Sequence, residues 1–106
     1  MFVYNHSIKL QDLGGGIKRK VLAYSKQIMG VEVYFEKGAI GEMHSHPHVQ
    51  LTYILKGEFE FTIDGETKIV KKGDTLQKDS NVIHGCTCLK KGVLFDIFTP
   101  CREDFL

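Results

Sequence analysis

The 106-residue sequence contains no tryptophan and only two prolines, and neither sign of charge is in clear excess. Lys and Arg number 14 and Asp and Glu number 13, which gives a formal net charge of +1. Because a nucleic-acid-binding domain needs positive charge to neutralise phosphates, we expect no nucleic-acid partner. The one dense basic cluster, Lys18-Arg19-Lys20, favours a solvated strand or loop over a binding patch.

Long apolar runs are also absent. The longest, Val93-Leu94-Phe95, ends at Asp96 and is far too short to cross a membrane. The first residues lack the basic and apolar regions of an export signal. The cysteines are few and odd in number, which without such a signal favours free thiols in a reducing compartment. We therefore expect a cytoplasmic protein with no membrane partner.

What the sequence does have is alternation of apolar and polar residues with period two. Phe59, Phe61 and Ile63 alternate with polar side chains, as do the apolar residues of segment 31–35, and both patterns are typical of half-buried strands. Asp64-Gly65 predicts a tight hairpin turn, because glycine tolerates positive φ. Segment 11–13 is interpreted as a short turn. The pattern predicts an all-β antiparallel sandwich or barrel of about eight to ten short strands, in a single domain over residues 1–106.

Histidines are the most suggestive side chains. His44 and His46 are two residues apart, so on one extended strand both rings leave the same face, and Gln50 has the same parity. His84 comes from a later segment as a fourth ligand. Imidazole binds Ni, Zn, Fe and Mn, so these four residues predict a site for one divalent transition metal. The alternative is a polar surface segment, because an isolated His-x-His pair is common.

The glycine framework around these histidines resembles the cupin family. Gly38, five residues, His44-Ser45-His46, three residues, Gln50, six residues and Gly57 are similar to the first cupin motif, with Gln50 where the family most often has Glu. Segment 73–88 resembles the second motif: Gly73 and His84 match, whereas Asp79, Asn81 and Cys88 replace its Pro, Gly and Asn. Asn81 is a sensible substitute for glycine, since asparagine tolerates left-handed backbone. The resemblance implies a small antiparallel barrel with jelly-roll-like topology.

Two features leave alternatives open. Asp96 shares a strand face with Leu94 and Phe98, and this face points either to solvent or into a cavity. We favour the cavity, where a buried carboxylate would need a metal, Arg102 or water as its partner. Cys86 and Cys88 share the parity of His84 and either pack as small apolar residues or act as soft metal ligands; packing is the commoner fate.

Segments 13–21, 43–50 and 98–106 resemble more closely the small cupins of pectin and alginate catabolism, which linearise 4,5-unsaturated monouronates. The resemblance implies that His44, His46, Gln50 and His84 bind the metal, and that an Asp, a Phe and an Arg serve catalysis or substrate binding. Asp96, Phe98 and Arg102 match those three in type and spacing. A sugar acid is then the expected small-molecule partner. A homodimer is expected from the family likeness and from the chain's small size.

Other functions of a small metal cupin stay open. Three neutral imidazoles also suit an iron dioxygenase. A different sugar isomerase or epimerase, or a non-catalytic module that binds a sugar or a metal, is compatible with the same motifs. An acidic residue within an apolar strand argues against the passive module.

Overall fold

Eight antiparallel strands in one sheet account for most of the chain in the computed structural model, which describes residues 1–106. Two single-turn 3-10 helices, Asn5–Ser7 and Glu103–Phe105, are the only helices. No helix has the length and apolar character needed to cross a membrane. The strands are β1 (Gln11–Gly14), β2 (Ile17–Tyr24), β3 (Met29–Phe35), β4 (Ile40–His44), β5 (Val49–Ile63), β6 (Glu66–Lys71), β7 (Thr75–Lys78) and β8 (His84–Thr99).

Two long strands organise the fold. β5 has 15 residues and β8 has 16, and they pair along nearly their whole length. β8 also pairs with β3 and β4, and β5 with β6 and β7. The expectation of uniformly short strands is therefore wrong for this pair. The bend that lets them wrap the interior lies at Gly57, whose φ is +86° and where a Cβ would meet the Lys90 carbonyl oxygen at 2.5 Å.

Two predicted backbone features are confirmed, and one is corrected. Asp64 and Gly65 both have positive φ, as a type I′ hairpin turn requires, and they join β5 to β6. Asn81 has a φ of 64° and is left-handed as expected. The predicted turn at residues 11–13 is instead strand β1, because Gly14 and Gly15 adopt positive φ and let this segment pair with β2.

The polar residues of the interior are concentrated in one place. Leu94 belongs to one buried apolar cluster and Phe98 to another, with Asp96 between them on β8. Six polar or charged residues are buried, and hydrogen bonds or ring contacts connect all of them: His46, Gln50, Thr52, Lys78, His84 and Asp96. Burying polar groups opposes folding unless they are satisfied, so their collection in one cluster indicates a functional site.

Candidate metal centre and its cavity

Three histidines converge on one point of the interior. One ligand atom from each of His44, His46 and His84 lies within 4.8 Å of the other two. The sequence argument placed His44, His46 and Gln50 on one strand, and this is wrong. His44 ends β4, His46 lies in the connecting loop and Gln50 is near the start of β5. Pro47 has no backbone N–H for a strand ladder, which accounts for the interruption.

Backbone carbonyls orient all three rings in the same way. Nδ1 of His44 lies 2.7 Å from the Glu42 oxygen, Nδ1 of His46 lies 3.1 Å from the His48 oxygen, and Nδ1 of His84 lies 2.9 Å from the Val82 oxygen. A carbonyl can only accept, so each Nδ1 carries the hydrogen and each Nε2 keeps its lone pair. Metal-binding histidines in proteins are held in this manner.

Gln50 completes a donor set that fits a cation. Its Oε1 lies 3.0 Å from Nε2 of His46, while its Nε2 donates to Thr52 Oγ1 over 3.4 Å. With Nδ1 of His46 protonated, two lone pairs face each other across this 3.0 Å gap. A proton or a metal ion between them removes the repulsion. Three imidazole nitrogens and an amide oxygen therefore fit a divalent transition metal, whose identity this donor set does not distinguish.

Burial favours the neutral form of two of these rings, His46 and His84, by lowering their pKa. Burial and then the charge of Lys78 lower the pKa of His84 to about 4. Burial and then the charge of Arg102 lower the pKa of His46. A neutral imidazole is the form that binds a metal, so protons do not compete strongly for His46 and His84 at neutral pH.

Asp96 lies on the cavity wall and is 7% exposed. Of the two orientations left open by the sequence, the structure has the inward one. Thr52, the residue opposite Asp96 in the β5–β8 register, donates its hydroxyl hydrogen to Oδ1 of Asp96 over 2.5 Å. No hydrogen bond engages Oδ2, so this oxygen remains available to a ligand in the cavity.

Lys78 is a site residue that the sequence analysis missed. It ends β7 opposite Gln50, is only 2% exposed and lines the same cavity. Its Nζ donates to Thr52 Oγ1 over 3.0 Å and lies 5.0 Å from the centre of the Phe61 ring. Burial lowers the pKa of Lys78, and the nearby Asp96 carboxylate opposes that effect. The available signal was parity, because Lys78 follows the half-buried Leu76 by two residues.

Arg102, Phe98 and Phe105 line the cavity side by side. The Arg102 guanidinium lies 5.1 Å from the Phe98 ring centre and 4.2 Å from that of Phe105. Its Nε and Nη2 bind both carboxylate oxygens of Asp104, at 3.0 and 2.9 Å, an ion pair that the sequence did not suggest. Hydrogen bonding to Arg102 lowers the pKa of Asp104. Nη1 of Arg102 makes no such bond.

Arg19 is the second residue that the sequence analysis missed, and the expectation of a solvated cluster at residues 18–20 is wrong for it. The side chain lines the cavity, and its guanidinium stacks 3.8 Å from the centre of the Phe105 ring. Gln11 Oε1 accepts a hydrogen bond from its Nε at 2.8 Å. Burial and then the charge of Arg102 lower the pKa of Arg19. Its shared parity with the half-buried Ile17 and Val21 was the available signal.

The two cysteines in question occupy different surroundings. Cys88 is buried in an apolar cluster and packs as a small hydrophobic residue. Cys86 lines the cavity but contributes no atom to the group of ligand atoms formed by the three histidines. Burial raises the pKa of Cys86 to about 11, so its thiol stays protonated at neutral pH.

The cavity formed by these residues has a volume of about 260 Å³. Three cationic side chains line it, Arg19, Lys78 and Arg102, against the single carboxylate of Asp96. A cation on the histidines would add to this excess of positive charge. The cavity is therefore suited to a small organic anion that must also meet one carboxylate.

Comparison with known proteins agrees with this geometry. Residues 31–98 match a protein family described as the Cupin domain. The chain is 47% identical over 98 residues to the pectin degradation protein KdgF of Dickeya dadantii (strain 3937), covering 91% of this chain and 89% of that one. Among solved structures, an RmlC-like cupin from Shewanella frigidimarina superposes with a TM-score of 0.96 at 39% identity, covering 99% and 95% of the two chains. KdgF from Halomonas sp. superposes with a TM-score of 0.95 at 35% identity, covering 100% and 98%.

Proposed function

The chain belongs to the cupin family and, within it, to the relatives of the pectin degradation protein KdgF, and we propose that it converts 4,5-unsaturated monouronates to their linear 4-deoxy-5-keto form. The observation that carries the proposal is the cavity itself. It combines three cations, a cation-binding cluster of histidines and one inward carboxylate, Asp96. The substrate is an anion whose reaction needs one proton acceptor and a stabiliser of developing negative charge.

Recognition of the sugar acid is assigned to the part of the cavity lined by Arg19, Arg102 and Phe105. Arg102 and Arg19 both stack on the Phe105 ring, and only one neighbouring carboxylate, Asp104, offsets their two charges. A substrate carboxylate here would neutralise the remaining charge, and guanidinium groups bind carboxylates with good geometry. Phe98 supplies an apolar wall for the flat, unsaturated part of the ring.

Asp96 is assigned the proton transfers. Its free Oδ2 takes the proton of the C1 hydroxyl, the C1 carbonyl forms, and the bond between C1 and the ring oxygen breaks. The electron pair that is released leaves an enolate at C5. Asp96 then returns the proton to C4 and the C5 ketone forms, so the reaction is an isomerisation with no other reactant. His44, His46, Gln50 and His84 would hold the metal, which supplies Lewis-acid stabilisation of negative charge when bound.

The direct test is the substitution Asp96→Asn, which keeps the size of the side chain and removes the base. We expect turnover of unsaturated galacturonate, followed as loss of the ultraviolet absorbance of the conjugated acid, to fall by at least about a hundredfold. Metal content, measured by mass spectrometry, should not change. Full activity in this variant would refute the base assignment, and oxygen consumption by the iron-loaded wild type would instead indicate a dioxygenase.

A homodimer is proposed to form through the outer face of β5. Val49, Leu51, Tyr53 and Leu55 are all exposed on this face, and Leu51 and Tyr53 lie beside Ile97 and Phe95 of β8. None of these six side chains carries a charge. A second copy related by a two-fold axis would cover this apolar strip with the same strip.

The cytoplasm is proposed as the compartment because all three cysteines are free thiols.

Sedimentation equilibrium tests the dimer. The wild type should sediment as a dimer, and Leu51→Glu should sediment as a monomer because its charge would be buried against the second copy. Ile69→Glu is the matched control, since Ile69 is also exposed but lies on β6, away from the strip. A monomeric wild type, or dissociation by both substitutions, would contradict the proposal.

A further inference from the structure

Lys78 has no structural explanation of the usual kind. It is almost fully buried, yet none of its three ammonium hydrogens meets a carboxylate within ion-pair distance, and its one hydrogen-bond partner is a hydroxyl. Removing an ammonium group from water strongly opposes folding unless a close ion pair or several hydrogen bonds offset it. A residue retained at such a position is a candidate for function.

The geometry around Thr52 gives that function a direction. A hydroxyl has one hydrogen to donate and two lone pairs to accept. Thr52 Oγ1 accepts from Nζ of Lys78 at 3.0 Å and from Nε2 of Gln50 at 3.4 Å, so its only hydrogen is left for Oδ1 of Asp96. Every hydrogen-bonding site of this fully buried hydroxyl is thereby used.

We propose that Lys78 is a positioning residue that acts through Thr52 to hold the Asp96 carboxylate with Oδ1 fixed and Oδ2 presented to the substrate. The inference rests on the base role proposed above for Asp96. The ammonium of Lys78 occupies one lone pair of Thr52 Oγ1, so the hydroxyl hydrogen cannot point in that direction. The hydrogen is thereby directed toward Oδ1 of Asp96. The same hydroxyl receives the Gln50 amide hydrogen, so one atom orients the base and also turns Oε1 of Gln50 toward the histidines.

The kinetic test uses four variants: Lys78→Met, Lys78→Arg, Thr52→Val and the Met/Val double substitution. We expect Lys78→Met to lower kcat by roughly tenfold to a hundredfold, the range for loss of a hydrogen bond to a charged group, with little change in KM. Lys78→Arg should retain part of the kcat that Lys78→Met loses. The double variant should be no worse than Thr52→Val alone, because Lys78 acts through that hydroxyl. Lys72→Met, at an exposed turn lysine, is the control and should behave as wild type.

Stability separates a positioning role from a structural one. Replacing a buried lysine by an apolar side chain of similar length should leave the melting temperature unchanged or raise it, even as kcat falls. A lowered melting temperature with a proportionate loss of activity would show that Lys78 only supports the fold. Additive losses in the double variant, or a raised KM with unchanged kcat, would also overturn the proposal.

A crystal structure of the Lys78→Met variant tests the positioning without turnover. The Asp96 carboxylate should rotate away from Thr52, whereas it should not move in the Lys72→Met control. An unmoved carboxylate would refute the inference whatever the enzyme does. If the carboxylate rotates but the wild type fails to linearise unsaturated uronates, the positioning stands and the proposed function fails.

Discussion

Arg19 provides the clearest test of anion recognition at the level of a single residue. We expect Arg19→Met to raise KM for unsaturated galacturonate about tenfold with a smaller change in kcat, because the proposed role of the guanidinium is to bind the substrate carboxylate and not to contact the reacting carbons. The measurement is steady-state kinetics. Lys18→Met, one residue earlier, is the matched control: it removes the same charge from an exposed position on the opposite face of β2.

The two substitutions separate local recognition from long-range attraction. If Lys18→Met raises KM as much as Arg19→Met does, the overall positive charge attracts the substrate and Arg19 has no specific part. Increasing the salt concentration would then abolish the difference from the wild type.

Gln50 allows a second test at the residue scale. Glutamate at this position would bring a full negative charge to the histidines. We therefore expect the Gln50→Glu variant to bind a divalent metal more tightly and to convert unsaturated galacturonate more slowly. Slower turnover is expected because the metal would keep less of its charge for the substrate, and because the amide hydrogen that Thr52 accepts is lost. Competitive chelation gives the metal affinity. Weaker metal binding in this variant would contradict the assignment of Gln50 as a ligand.

At the scale of elements, the loop between β7 and β8 braces the loop that carries His46. The backbone N–H of Asn81 donates to the His46 oxygen over 2.8 Å, and the Ser80 hydroxyl donates to the Pro47 oxygen over 2.7 Å. The first of these bonds depends on the left-handed backbone at Asn81. The loop is therefore held against the metal centre by a conformation that few residues adopt readily.

A pair of substitutions at this position tests the brace. Asn81→Val should destabilise the protein by about 1–2 kcal/mol, because a β-branched residue is strained at positive φ. It should also weaken metal binding, because the loop that carries His46 would lose its support. Asn81→Gly tolerates the same φ and should preserve both properties. Urea unfolding and metal titration are the measurements. Equal behaviour of the two variants would exclude the backbone explanation.

The elements also show which parts of the site a sequence can reveal. The parity of His44 and His46, together with the resemblance of the glycines around them and of Gly73 and His84 to the cupin motifs, predicted that these three histidines converge. It did not predict that a loop interrupts them, since the convergence depends on how β4 and β5 pair with the bent β8. Lys78 and Arg19 were missed because a charged residue on a short strand ordinarily faces water. Alternation with half-buried neighbours, Leu76 for Lys78 and Ile17 for Arg19, indicated the inward face, but alternation does not show that this face encloses a polar cavity.

At the scale of the whole molecule, the buried histidines make stability depend on pH. An unfolded histidine titrates near 6.5, whereas folded His84 has a pKa of about 4. Between these values the unfolded state binds more protons, so the free energy of unfolding of the metal-free protein should fall as pH is lowered from 6.5 to 4. His46, whose pKa is also lowered, acts in the same direction.

Urea unfolding of the metal-free protein at several pH values checks this expectation. His84→Gln should flatten the dependence, because its side chain does not titrate, and the difference between the two proteins isolates His84 from the carboxylates. A wild-type stability that stays constant or rises toward pH 4 would contradict the cause assigned to these pKa shifts.

The proposed function requires the inward carboxylate of Asp96, in a cation-lined cavity, to move a proton from O1 to C4 of an unsaturated uronate. The most direct measurement is proton NMR of unsaturated galacturonate incubated with the metal-loaded protein in D₂O. We expect the linear product to form faster than in a protein-free blank, with one deuterium on a single face of C4, and we expect both effects to be lost in Asp96→Asn. A rate equal to the blank, or deuterium on both faces of C4, would contradict it.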